Sequence, residues 1–217
     1  MKKLLCLLTA FLIVLSLFLT SLEVNSYDRN YFEKFQIKYG IDKATGLSFD
    51  ELRRVNEDLI SYLKKGNRNL LQPHFGDREI MHMEDVYSLY RAGRVIRNSS
   101  LPIIIIIIII LVKRYGAFDI LKEMNFSMII MWVFGILSSI ILMTDFSENF
   151  IKFHHIFFDN DLWLLDPAKD LMIQMLPENF FKLIVIKTLV VFIISLIIVH
   201  LIIVYLYKKI KRNGEQI

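Results

Sequence analysis

The chain has 217 residues, of which 55% are hydrophobic, and its formal net charge is +4. Its mean hydropathy of +0.47 is too apolar for an ordinary soluble domain of this size, so we expect an integral membrane protein. The basic residues flank apolar runs and form no stripe with interleaved aromatics, which argues against a nucleic-acid-binding protein.

Four long apolar runs predict four membrane-spanning helices. The runs cover residues 4–21, 101–112, 126–143 and 183–207. The first could instead be a signal peptide, but it is longer than the usual hydrophobic core of a cleaved signal and no A-x-A site follows it. We therefore interpret it as a retained anchor. In the second run, Pro102 suits the first turn of a helix.

The basic residues predict how the chain is oriented in the membrane. Lys2 and Lys3 precede the first run, one basic cluster follows the second run, and another follows the fourth. In a four-span chain these positions all lie on one side, which we expect to be cytoplasmic. Both termini should then be cytoplasmic, and the loops 22–100 and 145–182 should be extracellular.

The predicted fold class is an α-helical integral membrane protein with four transmembrane helices and a small, mostly helical extracellular cap. The predicted segments are transmembrane helix 1 (1–21), the extracellular cap (22–100), transmembrane helix 2 with an inner turn (101–118), transmembrane helix 3 (119–144), extracellular interfacial helices (145–182), transmembrane helix 4 (183–207) and a cytoplasmic tail (208–217). An α+β cap remains an alternative, because residues 31–39 fit the period of a strand and that of a helix.

Local signals place two helices in the predicted cap. Ser48 and Glu51 form a capping box at the start of the first, which should end near Gly66. The second should run from about residue 79 or 82 toward residue 96 and then meet the second span.

Two further helices are predicted in the segment 145–182. Ser147 should cap a helix that continues through Phe158. Asp166 and Pro167 provide a cap and a first-turn proline for another helix, which should continue to about Met175.

Two adjacent histidines, His154 and His155, lie among aromatic residues in this segment. Adjacent helical residues point about 100° apart, so the two rings cannot serve one site equally. His154 shares its face with Phe150 and Phe157, whereas His155 lies near charged residues and should face solvent or lipid headgroups. The aromatic residues expected to form a confined environment are Phe146, Phe150, Phe153, Phe157, Phe158, Trp163, Phe180 and Phe181.

The other three histidines differ in their surroundings. His82 has Asp85 three residues later, so the carboxylate could orient its ring, although such pairs are more often helix surface. His74 follows Pro73 in a predicted turn and should be exposed. His200 lies within the fourth run and should stay neutral, with a hydrogen bond to a neighbouring helix.

Several common catalytic motifs do not occur in the sequence. There is no H-E-x-x-H, G-x-S-x-G, P-loop or dinucleotide motif, and the lone Cys6 cannot form an internal disulfide. A metal site built from His82, His154 and acids remains open, but no ligand spacing requires it. We therefore expect neither a metal nor a cofactor.

Two histidine motifs carry a family resemblance. One is Glu79-Ile80-x-His82-Met83-x-Asp85-Val86, and the other is Phe153-His154-x-Ile156-Phe157-Phe158 followed by Asn160, Asp161, Trp163, Asp170 and Leu176-Pro177-Glu178-x-x-Phe181. Together with Thr45-Gly46-Leu47-Ser48-x-x-Glu51-Leu52 and the four spans, they resemble the lipoprotein intramolecular transacylase family of Gram-positive bacterial membranes. The resemblance covers essentially the whole chain.

The resemblance implies an enzyme that converts a diacylglyceryl lipoprotein to its lyso form. The acyl chain would move from the sn-2 ester of the glyceryl group to the α-amino group of the lipoprotein's N-terminal cysteine. The catalytic histidines would be His82 and His154, since His155 falls on an unmatched position. The substrate would lie in the outer leaflet among membrane lipids, with no nucleic acid and no obligate protein partner. The residues expected to bind the substrate are Asp85, Phe150, Phe153, Phe157, Phe158, Asn160, Asp161 and Trp163.

Two other functions remain open from the sequence. A lipase or phospholipid acyltransferase could use the same two histidines, and it would act on phospholipid alone. A non-catalytic lipid-binding scaffold would use both histidines structurally. The separation of the His82 and His154 rings bears on this choice, because a gap well beyond about 10 Å would leave catalysis at hydrogen-bond range unsupported.

Overall fold

The computed structural model describes residues 1–214, without the side chains of residues 142 and 143. The described residues form nine α-helices, one short 3₁₀ helix and no strand. They are α1 (Lys2–Ser26), α2 (Arg29–Tyr39), α3 (Ile41–Thr45), α4 (Phe49–Lys65), the 3₁₀ helix (Arg68–Leu70), α5 (Asp77–Tyr115), α6 (Ala117–Thr144), α7 (Phe146–Phe157), α8 (Leu171–Met175) and α9 (Glu178–Gly214). The predicted helical class is confirmed, and nothing in the described chain supports the α+β alternative. Residues 215–217 of the predicted tail lie outside the described residues.

The chain divides into two compact units. The membrane unit comprises Met1–Ser21, Arg94–Thr144 and the residues from Thr188 onward. The head unit comprises Leu22–Gly93 and Asp145–Lys187. Every residue predicted to belong to the functional site lies in the head unit.

Four helices are long and apolar enough to cross a membrane. They are Lys2–Ser26, Asp77–Tyr115, Ala117–Ile141 and Glu178–Asn213. Many of their large apolar side chains are exposed, as in the case of Ile105 at 58% and Leu201 at 62%. Such surfaces suit contact with lipid. The prediction of four helices able to span a membrane is therefore confirmed.

The second span is part of one long helix, α5, and this differs from the prediction. Pro102 lies inside α5 instead of in the first turn of a separate helix. Membrane helices tolerate an internal proline because neighbouring groups satisfy the freed backbone atoms. The 39 residues of α5 extend about 58 Å at 1.5 Å per residue, which exceeds the roughly 30 Å of a hydrocarbon core. The helix that carries His82 thus continues without a break into the span.

A polar cluster lies within the membrane unit between α6 and α9. Trp132 donates its indole N–H to His200 Nδ1 at 3.0 Å, and His200 Nε2 donates to Asn125 Oδ1 at 2.9 Å. A ring that accepts at Nδ1 and donates at Nε2 is neutral. The prediction that His200 is neutral and hydrogen-bonded to a neighbouring helix is confirmed.

In the head unit, α2 packs against the start of α9. Asp28 caps α2 by accepting backbone hydrogen bonds from the first turn, and this cap favours a helix where the apolar period was ambiguous. The rings of Phe32 and Phe35 lie 4.8 and 5.2 Å from the ring of Phe180. Tyr31 donates its hydroxyl to the Phe180 carbonyl at 2.7 Å. These contacts fix the end of the segment that carries the second histidine motif.

The predicted capping box of α4 is confirmed. The Ser48 hydroxyl accepts from Glu51 N–H, the Glu51 carboxylate accepts from Ser48 N–H, and the helix ends at Gly66 with φ 72°. The buried apolar stripe of this helix comprises Leu52, Val55, Leu59, Ile60 and Leu63. This stripe supplies much of the head unit's core.

The start of α7 differs from the prediction. Asp145 is the N-cap and accepts from Glu148 N–H at 3.0 Å, so the predicted Ser147 cap is wrong. Ser147 lies within the first turn, and its hydroxyl donates to the Glu178 carboxylate instead. The aspartate two residues earlier therefore takes the capping position, and α7 ends at Phe157, with Phe158 as its C-cap.

The helix predicted to begin at Asp166 is also wrong at its start, because α8 begins only at Leu171. Asp166 accepts from Ala168 N–H at 2.9 Å, and Asp170 accepts from Asp166 N–H at 2.6 Å. These side-chain bonds hold the backbone in a turn and compete with helix formation.

Candidate active site

The two histidines of the sequence motifs come together in the head unit. His82 lies in the second turn of α5, and His154 lies near the end of α7. Both are buried, with 9% and 7% of their surfaces exposed, and their ring centroids are 6.0 Å apart. This separation is well below the limit of about 10 Å given above, so both imidazoles can act on one substrate group.

His154 is fixed by its own helix. Its Nδ1 lies 2.6 Å from the Phe150 backbone carbonyl. Because a carbonyl only accepts, Nδ1 carries the proton and the lone pair of the neutral ring lies on Nε2. Burial lowers the pKa of His154 below its ordinary value of 6.5, the Phe150 carbonyl opposes this shift, and His155 adds to it. His154 is therefore a neutral imidazole near pH 7.

Aromatic rings surround His154 closely. Trp163 is stacked on it with centroids 4.6 Å apart, Phe150 meets it edge-on at 4.5 Å, and Phe158 lies at 5.6 Å. The ring of Phe158 also lies 5.4 Å from that of His82. We call Phe150, Phe158 and Trp163 the aromatic wall.

Two other predicted aromatics, Phe153 and Phe157, are more exposed than the aromatic wall. Phe153 contacts the His154 ring edge-on at 5.5 Å but is 42% exposed, and Phe157 is 52% exposed. His155 is exposed and reaches only the edge of Trp163, at 5.2 Å. The helical-face prediction that separates buried His154 from exposed His155 is confirmed.

Asp85 does not orient the His82 ring, which the sequence had left as a possibility. Its carboxylate accepts from the Asn160 side chain at 2.9 Å. Within residues 1–214, His82 Nδ1 is buried without a hydrogen-bond partner. The Asp85 carboxylate is therefore used in a tertiary contact and not in a catalytic pair within α5.

The loop after α7 is tied to the first turns of α5. Asn160 bridges the two, because it donates to Asp85 and accepts from Leu162 N–H at 3.0 Å. The Arg78 guanidinium donates to the Asp161 backbone carbonyl. The loop that carries Trp163 is thus held on the helix that carries His82.

Glu79 supports the helix that carries His82, a role that the sequence reasoning did not assign to it. Only 3% of its surface is exposed, and its two carboxylate oxygens accept from Gly76 N–H and Met172 N–H, each at 2.7 Å. It therefore caps α5 and fixes the start of α8 at the same time. Glu79 is the third residue of α5, the N3 position from which a glutamate side chain reaches back to the N-cap. The sequence therefore contained the signal for this cap.

We expect Glu79→Gln to destabilise the head unit by about 1–3 kcal/mol, because an amide NH₂ would then meet a backbone N–H that has lost its acceptor. Thermal unfolding in detergent measures this. The matched control is Glu84→Gln on the same helix, whose carboxylate is half-exposed and pairs with Arg68 at 3.0 Å. That change should cost only about 0–1 kcal/mol. Equal shifts for the two variants would contradict the assignment.

His74 also differs from its prediction. Its Nε2 lies 2.8 Å from the Asp58 carboxylate, and its side chain is only 19% exposed. It is therefore a partly buried residue of the head unit and not an exposed turn histidine. Among the described residues, no group of three or more His, Cys, Asp or Glu side chains is arranged to hold a metal ion.

A model of one protein family matches most of the chain. The model that matches residues 7–181 describes the lipoprotein intramolecular transacylase Lit. The chain belongs to the lipoprotein intramolecular transacylase family. No curated protein matches this transacylase chain.

Solved structures agree with this family assignment. One structure of the membrane-integral lipoprotein intramolecular transacylase Lit from Bacillus cereus is 25% identical, covers 98% of both chains and gives a TM-score of 0.83. Two structures of that protein carry a histidine replaced by arginine or by alanine. They are 24% and 25% identical, cover 98% of this chain and 95% and 96% of theirs, and give TM-scores of 0.82 and 0.81. The transacylase described here therefore has the fold of a membrane-integral enzyme.

Proposed function

We propose that this transacylase moves an acyl chain from the sn-2 ester of a diacylglyceryl lipoprotein to the α-amino group of its N-terminal cysteine. The product is the lyso form of the lipoprotein. The observation that carries the proposal is the 6.0 Å separation of the His82 and His154 rings. At this separation, one reacting centre can lie within hydrogen-bond reach of both imidazoles.

His154 is the general base in this proposal. Its Nδ1–H donates to the Phe150 carbonyl, which leaves the Nε2 lone pair for the substrate. The amine nitrogen attacks the ester carbonyl carbon, its proton passes to Nε2, and the bond between that carbon and the glyceryl oxygen breaks. The same ring then gives the proton to the glyceryl oxygen. Every atom and proton is accounted for, and the enzyme returns to its starting state.

His82 polarises the ester carbonyl in this proposal. A neutral imidazole has one N–H, and its buried Nδ1 is unpaired within the described chain. A donor in this position can stabilise the negative charge that develops on the carbonyl oxygen as the amine attacks. The burial of both rings makes such a hydrogen bond stronger than it would be in water.

Holding the substrate is the third part of the proposal. Acyl donor and acceptor belong to one molecule, so the transfer balances without a co-reactant and depends on folding a two-chain lipid so that amine and ester meet. Correct positioning can lower a barrier by roughly 7–11 kcal/mol. The residues proposed to contact the substrate are Phe150, Phe153, Phe157, Phe158 and Trp163 along the acyl chains, and Asp85, Asn160 and Asp161 near the polar end.

We also propose that both termini are cytoplasmic and that the head unit is extracellular. The basic clusters that flank the spans support this orientation. The lipoprotein substrate would then reach the site from the outer leaflet, and the predicted boundaries 22–100 and 145–182 would mark the extracellular parts.

The test uses the purified protein in liposomes with a synthetic diacylglyceryl lipopeptide. Because the transfer is intramolecular, product and substrate are isomers and have the same mass. We expect fragmentation spectra to place one acyl chain on the cysteine nitrogen, and we expect the free amine to disappear. With phospholipid alone, no acyl chain should move.

Mass changes separate the rival functions. A lipase would release an acyl chain from phospholipid alone and lower its mass by one chain, and a phospholipid acyltransferase would move an acyl chain between phospholipid molecules. Either result would overturn the proposal. A scaffold would leave both the mass and the free amine unchanged.

A further inference from the structure

The indole N–H of Trp163 has no hydrogen-bond partner although it is buried. Within residues 1–214, Trp163 Nε1 is one of the few buried side-chain nitrogens without an acceptor. Buried polar groups are nearly always paired, and an indole nitrogen can only donate. The group that this N–H can bind is therefore an acceptor, such as a carbonyl oxygen or an anionic oxygen of a bound molecule.

The position of Trp163 places this donor beside His154. Its ring is stacked on His154 with an angle of 28° between the planes. Trp163 lies three residues after Asn160, in the loop that follows α7. Two hydrogen bonds hold this loop on α5, one from Asn160 to Asp85 and one from Arg78 to the Asp161 carbonyl. The ring is therefore fixed from two sides, and its N–H is prearranged before any substrate binds.

We infer that Trp163 is a catalytic residue that donates its Nε1–H to the oxygen of the ester carbonyl, as a second donor beside His82. This inference rests on the proposed acyl transfer. As the amine nitrogen attacks, the carbonyl carbon becomes tetrahedral and its oxygen takes on negative charge. The indole keeps its proton throughout, and the bond that breaks is still that to the glyceryl oxygen. Prearranged donors around such an oxygen are a large source of rate enhancement.

The test compares Trp163→Phe with the wild-type protein in the lipopeptide assay. Phenylalanine keeps an aromatic ring against His154 and removes the N–H, so kcat should fall by about 10- to 10³-fold while KM stays within about twofold. Benzothienylalanine at the same position keeps the bicyclic shape without the N–H and should give the same loss. The matched control is Trp132→Phe, which removes the other indole N–H of the chain, bonded to His200. Its kcat should stay close to that of the wild type.

Two results would overturn the inference. An unchanged kcat in both Trp163 variants would show that the N–H has no role in the reaction, and a raised KM with unchanged kcat would limit Trp163 to substrate binding. In both cases a wild-type protein that still forms the N-acyl product would leave the proposed function intact. Failure of the wild-type protein to form that product would instead reject the proposed function.

Discussion

Replacing His154 by alanine should lower the rate of lyso-lipoprotein formation by about 10²- to 10⁴-fold, the usual contribution of a general base. His155→Ala should retain most of the rate. The two residues are neighbours in the chain, but His154 is 7% exposed and hydrogen-bonded to Phe150, whereas His155 is exposed. Initial rates come from mass spectrometry of the lipopeptide's N-terminal fragment.

Comparing the His154 and His155 variants separates the catalytic role of His154 from a loss of folding. Both variants remove one imidazole from the same helix, so a general loss of α7 would affect them alike. His154→Asn provides a second variant that keeps a polar side chain in the aromatic wall. Equal activities of the two alanine variants, whether both high or both low, would reject the assignment of His154 as the base.

Replacing His82 by alanine should lower kcat by about 10²- to 10³-fold, as expected when a donor to a developing oxyanion is removed. The ring is buried and lies 6.0 Å from that of His154. If both rings act on one transition state, the double variant should be little slower than the slower single variant, because residues that act as a unit are not additive. Rates that multiply would indicate independent effects, and this would contradict a shared site.

His74→Ala is the matched control for the His82 variant. His74 is also a histidine of the head unit, but its ring pairs with Asp58. Its removal should cost stability through the lost hydrogen bond, by about 0.5–1.5 kcal/mol, and it should leave kcat unchanged. A parallel loss of kcat in both variants would show that the assay reports unfolding.

Local signals in the sequence were sufficient where one helix alone decides the outcome. The Ser48 and Glu51 capping box and the separation of His154 from His155 depend only on positions along a single helix, and both are confirmed. The four apolar runs likewise identify the spans, because hydropathy is a property of each run by itself.

Tertiary contacts explain where the sequence prediction was wrong. Asp85 is three residues from His82, so the sequence left a catalytic pair on one helix open, yet Asn160 from a distant loop donates to its carboxylate. The same holds for Ser147, whose hydroxyl bonds to Glu178 instead of capping a helix. When a side chain can bond within its own helix or to another element, spacing along the chain does not show which bond forms. The closeness of His82 and His154 was suggested by the family resemblance, and helical periodicity could not supply it.

The bond from His154 Nδ1 to the Phe150 carbonyl determines what a mutational scan of this enzyme can detect. In a Ser-His-Asp triad, the group that orients the base is a side chain, so its substitution has a phenotype. Here that group belongs to the main chain, and every residue that keeps α7 helical supplies the same oxygen at position 150. A scan would therefore find no third member of the acid-base system, and the effect of changing Phe150 would report the loss of its ring. Only a chemical change to the main-chain carbonyl of residue 150 would reveal the group that orients His154.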